Sequence, residues 1–401
     1  MGKYNIVDLF CGAGGLSLGF TQTGRFQIVG AIDNWDCAVD TFRHNHPRVT
    51  PEAIVLRDAN FINSPDFEKS LQRTWETNGP VDVVMGGPPC QGLSLAGKRL
   101  SGDRRNQLFR SFVTAVEKLR PAVFVMENVP GLLSMQGGRL NEAIINAFTS
   151  IGYVSFTNHL PTVLKAEQYG VPQLRRRLFY IGFSTECIAS NFQWPPQTTH
   201  EVSPDVLGGR ESPQLGFDLA LHNDGMQIVP TVREAISDLP VLTSGDGSDE
   251  MEYPQVFGQL TPYQTEMREW PANQVPMVFN HEAPAHTMKL ISMISACSPG
   301  KSVDPKYTDS KKWDPDRPSF TVKALGSGGG STNRRAFHYD ERSPRGSTVR
   351  ENARIQSFPD WYRFIGPKTH QMTQVGNAVP PMLARAIAQV IAAAMDASKS
   401  N

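Results

Sequence analysis

Residues 4–10 (YNIVDLF) form a short apolar run that ends in a glycine-rich turn, the pattern of a buried strand. The spacing of apolar positions then changes. Residues 14–23 and 36–45 follow helical spacing, the second stretch stopping before Pro47. Between them lies a second strand-like run, QIVGAI (27–32), which ends at Asp33. A short strand over 53–57 ends at Asp58, and 64–77 is predicted to be helical. VDVVM (81–85) runs into GGPPC, followed by a predicted helix over 104–119 and a strand at AVFVME (122–127). A helix over 139–151 and strands over 153–160 and 177–183 continue the series. Strands alternating with helices over about 180 residues predict a doubly wound α/β sheet.

The alternation stops there. Residues 184–340 are rich in Pro, Gly and polar residues and short of long periodic runs, which predicts a second, smaller, irregular domain. Helical spacing resumes over 346–357 and 378–395, and the last, Ala-rich segment is expected to pack back on the first domain. The run GSGGGS (326–331) reads as a flexible loop.

Length adds a bound. At about 150 residues per domain, 401 residues suggest two domains. A hydrophobic fraction of 39% against 19% charged residues supports a sizeable core and excludes global disorder. No apolar run approaches the roughly 18 residues of a membrane span. The chain enters a strand almost at once, so no signal or transit peptide is expected and a cytoplasmic location fits. Five cysteines without a CxxC pair argue against a disulfide framework or a zinc ribbon.

Lys+Arg and Asp+Glu balance at 39 each, which taken in bulk speaks against nucleic acid. The charge is segregated, however. Residues 98–110 carry five basic residues and one acid, and 311–354 carry ten basic and five acidic. Thirteen acids against three Arg over 201–269 offset them. Phosphate binding needs only a local basic surface, and solvated arginine loops would give the same counts.

The turn after the first strand, Asp8 to Gly15, places glycines where backbone can approach a ligand. Such a turn suits NAD, FAD, nucleotides or S-adenosylmethionine. It lacks the third spaced glycine of the dinucleotide pattern, which favours the last. Asp33, at the end of the second strand, is placed for ribose hydroxyls. Trp35 could stack on adenine or fill the core. Asp58 could accept the adenine amino group or cap a turn. The His pairs at 44/46 and 281/286 lack the acid or Cys spacing that would complete a metal site, so no metal is expected.

At the other end, two prolines precede Cys90 and hold its thiol in place, as a nucleophile requires. Glu127 closes a buried apolar run. Partial desolvation there should raise its pKa and let it donate a proton to a ring nitrogen, although a cap or an ion pair would also explain it. Arg175 and Arg177 alternate and should share one face of a strand, where an Arg could bind a base carbonyl or a phosphate.

GGPPCQGLS, ENV and QLRRR together resemble the cytosine-5 DNA methyltransferases. DLFCGAGG (8–15), DRRNQLF (103–109), YGVPQLRRR (169–177), TVRENARIQSFPD (348–360) and QVGNAVPP (374–381) follow in that family's order. The resemblance covers about residues 4–183 and 346–393. It implies a Rossmann-like S-adenosylmethionine-dependent catalytic domain over 1–183 and 346–401. The segment 184–345 falls where the family keeps a mainly β target-recognition domain.

The resemblance further implies a DNA (cytosine-5-)-methyltransferase acting through a covalent bond from Cys90 to C6 of a flipped-out cytosine, with no metal. Glu127, Arg177 and Arg175 would serve the base. Phe10, Gly12, Gly14, Asp33, Trp35, Asp58, Pro88, Leu108 and Asn377 would bind the cofactor. Gln91, Ser94, Arg105, Gln173, Thr321, Arg334 and Arg335 would contact double-stranded DNA. A monomer is expected, cytoplasmic and bound to the nucleoid through DNA, with a restriction endonuclease as functional counterpart. Asp33 stands where many relatives have Glu, and Cys11 where Ala or Ser is common. Relatives that methylate transfer RNA tend to carry Cys-Phe-Thr where this chain has Ser319-Phe320-Thr321. A non-catalytic DNA-binding regulator would not need Cys90, Glu127 and Arg177 together.

Overall fold

A computed structural model describes residues 2–89, 108–154, 161–185, 192–203, 225–255, 258–304, 306, 309–324 and 336–399. Two compact units are present. Unit 1 comprises residues 1–165, 176–197 and 384–401, and unit 2 comprises 166–175 and 198–383.

Unit 1 alternates as expected: β1 (Tyr4–Leu9), α1 (Gly15–Gln22), β2 (Phe26–Asp33), α2 (Asp36–Asn45), β3 (Ile54–Leu56), α3 (Asp66–Asn78), β4 (Val83–Gly86), α4 (Leu108–Leu119), β5 (Val123–Asn128) and α5 (Arg139–Ser150). Three strands complete the sheet: β6 (Tyr153–Val154), β7 (Thr162–Lys165) and β8 (Arg176–Ser184). Among the described residues, the strand order is β3-β2-β1-β4-β5-β8-β6, with β7 also on β8. Strands β1 to β5 are parallel, whereas β8 runs antiparallel to β5. The order reverses between β1 and β4, so the crevice at their carboxyl ends is the expected ligand site.

The parallel strands are buried on both faces, which is why they read as unbroken apolar runs. Phe124 of β5 stacks on Phe148 of α5, with ring centroids 3.7 Å apart. Each fully buried Phe contributes about 1.5–3 kcal/mol. The helix Pro381–Lys399 returns to this unit, where Asp396 accepts hydrogen bonds from Tyr4 and Arg25. By length and composition alone, residues 368–399 could cross a membrane, but 67% of the apolar stretch is buried inside the fold.

Unit 2 departs from expectation in two respects. Residues 346–383 and 166–175 group with the irregular segment rather than with the sheet. The cause is the helix Val349–Ile355, whose Arg350 and Arg354 reach Phe279, Ala235 and Asp238. Nor are the described residues of 184–345 mainly β. Their strands are short, and capping boxes at Thr231/Glu234 and Thr261/Gln264 start helices over Val232–Ile236 and Pro262–Met267. A further helix, Lys368–Asn377, is too polar to show helical spacing in the sequence.

Candidate active site

The turn after β1 is strained where it meets the crevice. Phe10 has φ of 58°, a left-handed conformation that a bulky residue rarely adopts, and Gly12 and Gly14 share that region. This curl turns the Gly12 N–H onto Asp33 Oδ2 at 2.8 Å, while Asp33 Oδ1 accepts from the Trp35 N–H at 2.9 Å. Burial pushes the Asp33 carboxyl up, and the Gly12, Trp35 and Asn34 N–H groups oppose it. Beneath it, burial raises Asp8 to about 7, against a hydrogen bond from Ser17 Oγ at 2.7 Å.

A cavity of about 730 Å³ opens at these strand ends. It brings together Phe10, Asp33, Asp58 and Leu108 of the expected cofactor residues. Asp58 also caps the following turn by accepting from the Asn60 N–H at 2.9 Å. Gly12, Gly14, Trp35 and Pro88 do not line it, and Asn377 lies exposed at a helix end in unit 2. Arg57, Asn63, Arg110 and Thr114, which no motif marks, also line its wall. A polar face on α4, with Ser111 and Thr114 three positions apart, was the available signal.

The second half of the site is built where β4 and β5 run side by side. Gly86 sits so close to β1 that an added Cβ would lie 1.9 Å from the Leu9 carbonyl oxygen. The chain then passes through Gly87, Pro88 and Pro89. The Pro88 carbonyl accepts from Asn128 Nδ2 at 3.1 Å, and Asn128 Oδ1 accepts from the Val129 N–H. Cys90, Gln91, Ser94, Arg105, Arg334 and Arg335 lie outside the described residues.

Glu127 pairs across β5 and β8 with Phe179, which makes Arg177 its diagonal neighbour on the same face. Arg177 Nε donates to Glu127 Oε1 at 2.8 Å, and the two side chains are only 14% and 13% exposed. Burial pushes the Arg177 guanidinium down, and the Glu127 charge opposes it.

Arg175 does not share that face. It precedes β8, belongs to unit 2 and is fully buried. Its guanidinium donates to the carbonyls of Val322, Gly376 and Ala378, each at 2.9 Å. It therefore ties unit 2 together instead of facing a ligand. Gln173 is likewise corrected as a DNA contact. It is fully buried, its amide donates to Ile355 O and Gln356 Oε1, and its oxygen accepts from the Val322 N–H. A parallel pairing of Gln173–Leu174 with Ser319–Phe320 draws it inward. The Thr321 hydroxyl donates to Leu174 O at 2.6 Å.

A family model described as C-5 cytosine-specific DNA methylase matches residues 4–393. The Type II methyltransferase M.AgeI of Thalassovita gelatinovora is 34% identical, over 97% of this chain and 99% of that protein. The Type II methyltransferase M.DdeI of Desulfomicrobium norvegicum is 33% identical, over 96% and 88%. A crystal structure described as a DNA modification methyltransferase encoded within an E. coli prophage superposes with a TM-score of 0.74 at 25% identity. That likeness covers 98% of this chain and all of the other.

Proposed function

This chain belongs to the C-5 cytosine-specific DNA methylase family, and on that premise we propose that it methylates C5 of a cytosine flipped out of double-stranded DNA, through a transient bond from Cys90 to C6. The observation that carries this reading is the convergence of β4 and β5. It sets the Gly87-Pro88-Pro89 lead into Cys90 against the Glu127–Arg177 pair.

Enzymes of this family use S-adenosylmethionine, and the cavity suits it. Asp33 and Asp58 offer carboxylate oxygens at one wall, and Phe10, Ile32 and Leu108 offer apolar surface. When bound, this cofactor supplies a methyl group made electrophilic by its sulfonium. Asp33 would hold the ribose hydroxyls with the lone pairs left beside its backbone bonds. Losing that charged acceptor costs about 2 kcal/mol. Asp33→Ala is therefore expected to weaken cofactor binding about 30-fold by isothermal titration, and unchanged affinity would remove Asp33 from the site.

The chain's own residues would act in order. The Cys90 thiolate forms a bond to C6 with its own electron pair, and the C5=C6 π pair moves onto C5, making it nucleophilic. Glu127 Oε2 faces the base; in its protonated form the carboxyl donates to N3 and accepts from the exocyclic amine, while Arg177 orients it and meets the O2 side. After C5 has gained its methyl, it loses its proton to water, and expulsion of the Cys90 thiolate restores the double bond. Glu127→Gln is expected to lower kcat by about 10²- to 10⁴-fold while cofactor affinity stays unchanged.

Recognition of the DNA sequence would fall to unit 2, with Thr321, Arg334 and Arg335 among the contacts, and to Gln91, Ser94 and Arg105 beside Cys90. M.AgeI and M.DdeI are Type II methyltransferases, which supports a role in shielding DNA from a matching endonuclease. Bisulfite sequencing of plasmid DNA from cells expressing the protein tests the whole reading. Methylcytosine confined to one short motif is the expected result. Unmodified DNA, from a protein that binds S-adenosylmethionine, would end it.

A further inference from the structure

Gly87 and Glu127 stand closer than any side chain at position 87 would allow. A Cβ built on Gly87 would lie 2.9 Å from Glu127 Oε2, where ordinary contact begins at 3.4 Å. Gly87 shows no left-handed φ, so alanine is compatible with its backbone. Its neighbour Gly86 is different, because a Cβ there would strike the Leu9 backbone at 1.9 Å. The two adjacent glycines thus meet different demands. Gly86 lets β4 lie against β1, and the missing side chain of Gly87 is answered by a carboxylate oxygen.

We propose that Gly87 is a positioning residue, its bare Cα fixing where Glu127 Oε2 stands. This rests on the reading of Glu127 as the group that meets the base. Arg177 holds Oε1 at 2.8 Å, so the carboxylate cannot swing aside without breaking that bond. An alanine methyl would force Oε2 back by about 0.5 Å or break the pair. Displacement of a reacting group by 1 Å can cost about 100-fold in rate.

The test compares Gly87→Ala, Glu127→Asp, the double variant and Glu127→Gln. Tritiated methyl transfer to unmethylated plasmid DNA gives kcat, and KM for S-adenosylmethionine and Tm are measured alongside. Gly87→Ala should lower kcat about 10- to 100-fold with KM and Tm held. The shorter Asp should relieve the contact, so the double variant should lose less than the product of the two single losses. Wild-type kcat in Gly87→Ala, or losses that simply multiply, would overturn the proposal. If Gly87→Ala fails to fold, recovery of Tm in the double variant supports the same contact, and no recovery overturns it. A fully active Glu127→Gln would instead sink the reading of Glu127 itself. An impaired Glu127→Gln beside a normal Gly87→Ala would sink only this inference.

Discussion

Cys90→Ala is expected to abolish methyl transfer, with kcat down by at least about four orders of magnitude. The reason lies in cytosine itself. C5 of the aromatic ring is a poor nucleophile, and in the proposed reaction only the bond to C6 makes it a good one. An alanine methyl has no lone pair with which to attack C6, so loss of the sulfur should remove the reaction rather than slow it. S-adenosylmethionine affinity should be kept, because the cavity is lined mainly by Phe10, the end of β2, residues of 57–63 and α4. DNA carrying 5-fluorocytosine offers a second readout, since fluorine cannot leave C5 as a proton does. Wild-type protein should be trapped on it as a denaturant-resistant complex, and Cys90→Ala should not. Residual turnover above a hundredth of wild type would point to a different nucleophile.

The second large effect concerns stability. Arg354 is fully buried, with Nε 2.6 Å from Asp360 Oδ1 and a terminal nitrogen 3.0 Å from Asp238 Oδ1. Burial alone would raise the Asp360 carboxyl, but the Arg354 guanidinium holds it below its ordinary value. Arg354→Met leaves two carboxylates in a dry interior, Asp360 with Arg350 at 3.8 Å and Asp238 with Arg268 at 3.4 Å. Breaking one side of such a network costs about 3–5 kcal/mol. For a unit of this size that corresponds to a fall in Tm of roughly 10 °C, visible by calorimetry. The pH dependence has a definite sign. A depressed folded-state pKa gives stability that is present above the unfolded value near 4 and lost as pH falls through the folded value. Without the guanidinium, burial raises the folded-state carboxyl, so the deficit of Arg354→Met should be largest near neutral pH and narrow as pH falls through that raised value toward the depressed wild-type one. A deficit under about 1 kcal/mol would mean that the carboxylates find other partners.

That network also explains what the sequence hid. In unit 1, strands such as VVMG and VFVMEN are buried on both faces, so hydrophobicity alone marks them. The strand ends then identify Asp33, Asp58 and Glu127 by position. In unit 2, the helix Val349–Ile355 is wholly buried yet reads VRENARI, which by pattern belongs on a solvated surface. Its burial depends on carboxylates more than a hundred positions earlier, such as Asp238 for Arg354. No local period records such a pairing. The same holds for Arg175, whose carbonyl partners at Val322 and Gly376 are 147 and 201 residues away. Its spacing from Arg177 suggested a shared strand face, and long-range pairing decided otherwise.

The bond from Tyr4 to Asp396 has a consequence for biogenesis. The two residues are separated by 392 positions, so the ribosome makes one long before the other. Strand β1 lies beside β2 and β4 within the first hundred residues, yet Asp396, which clasps Tyr4 and Arg25, emerges only after unit 2. All of unit 2 except residues 166–175 is synthesised between the last sheet strand and that clasp. A nascent sheet must therefore wait, with this flank open, for the whole of that stretch to leave the tunnel. The arrival of Asp396, rather than strand pairing, then becomes the event that closes this flank of unit 1.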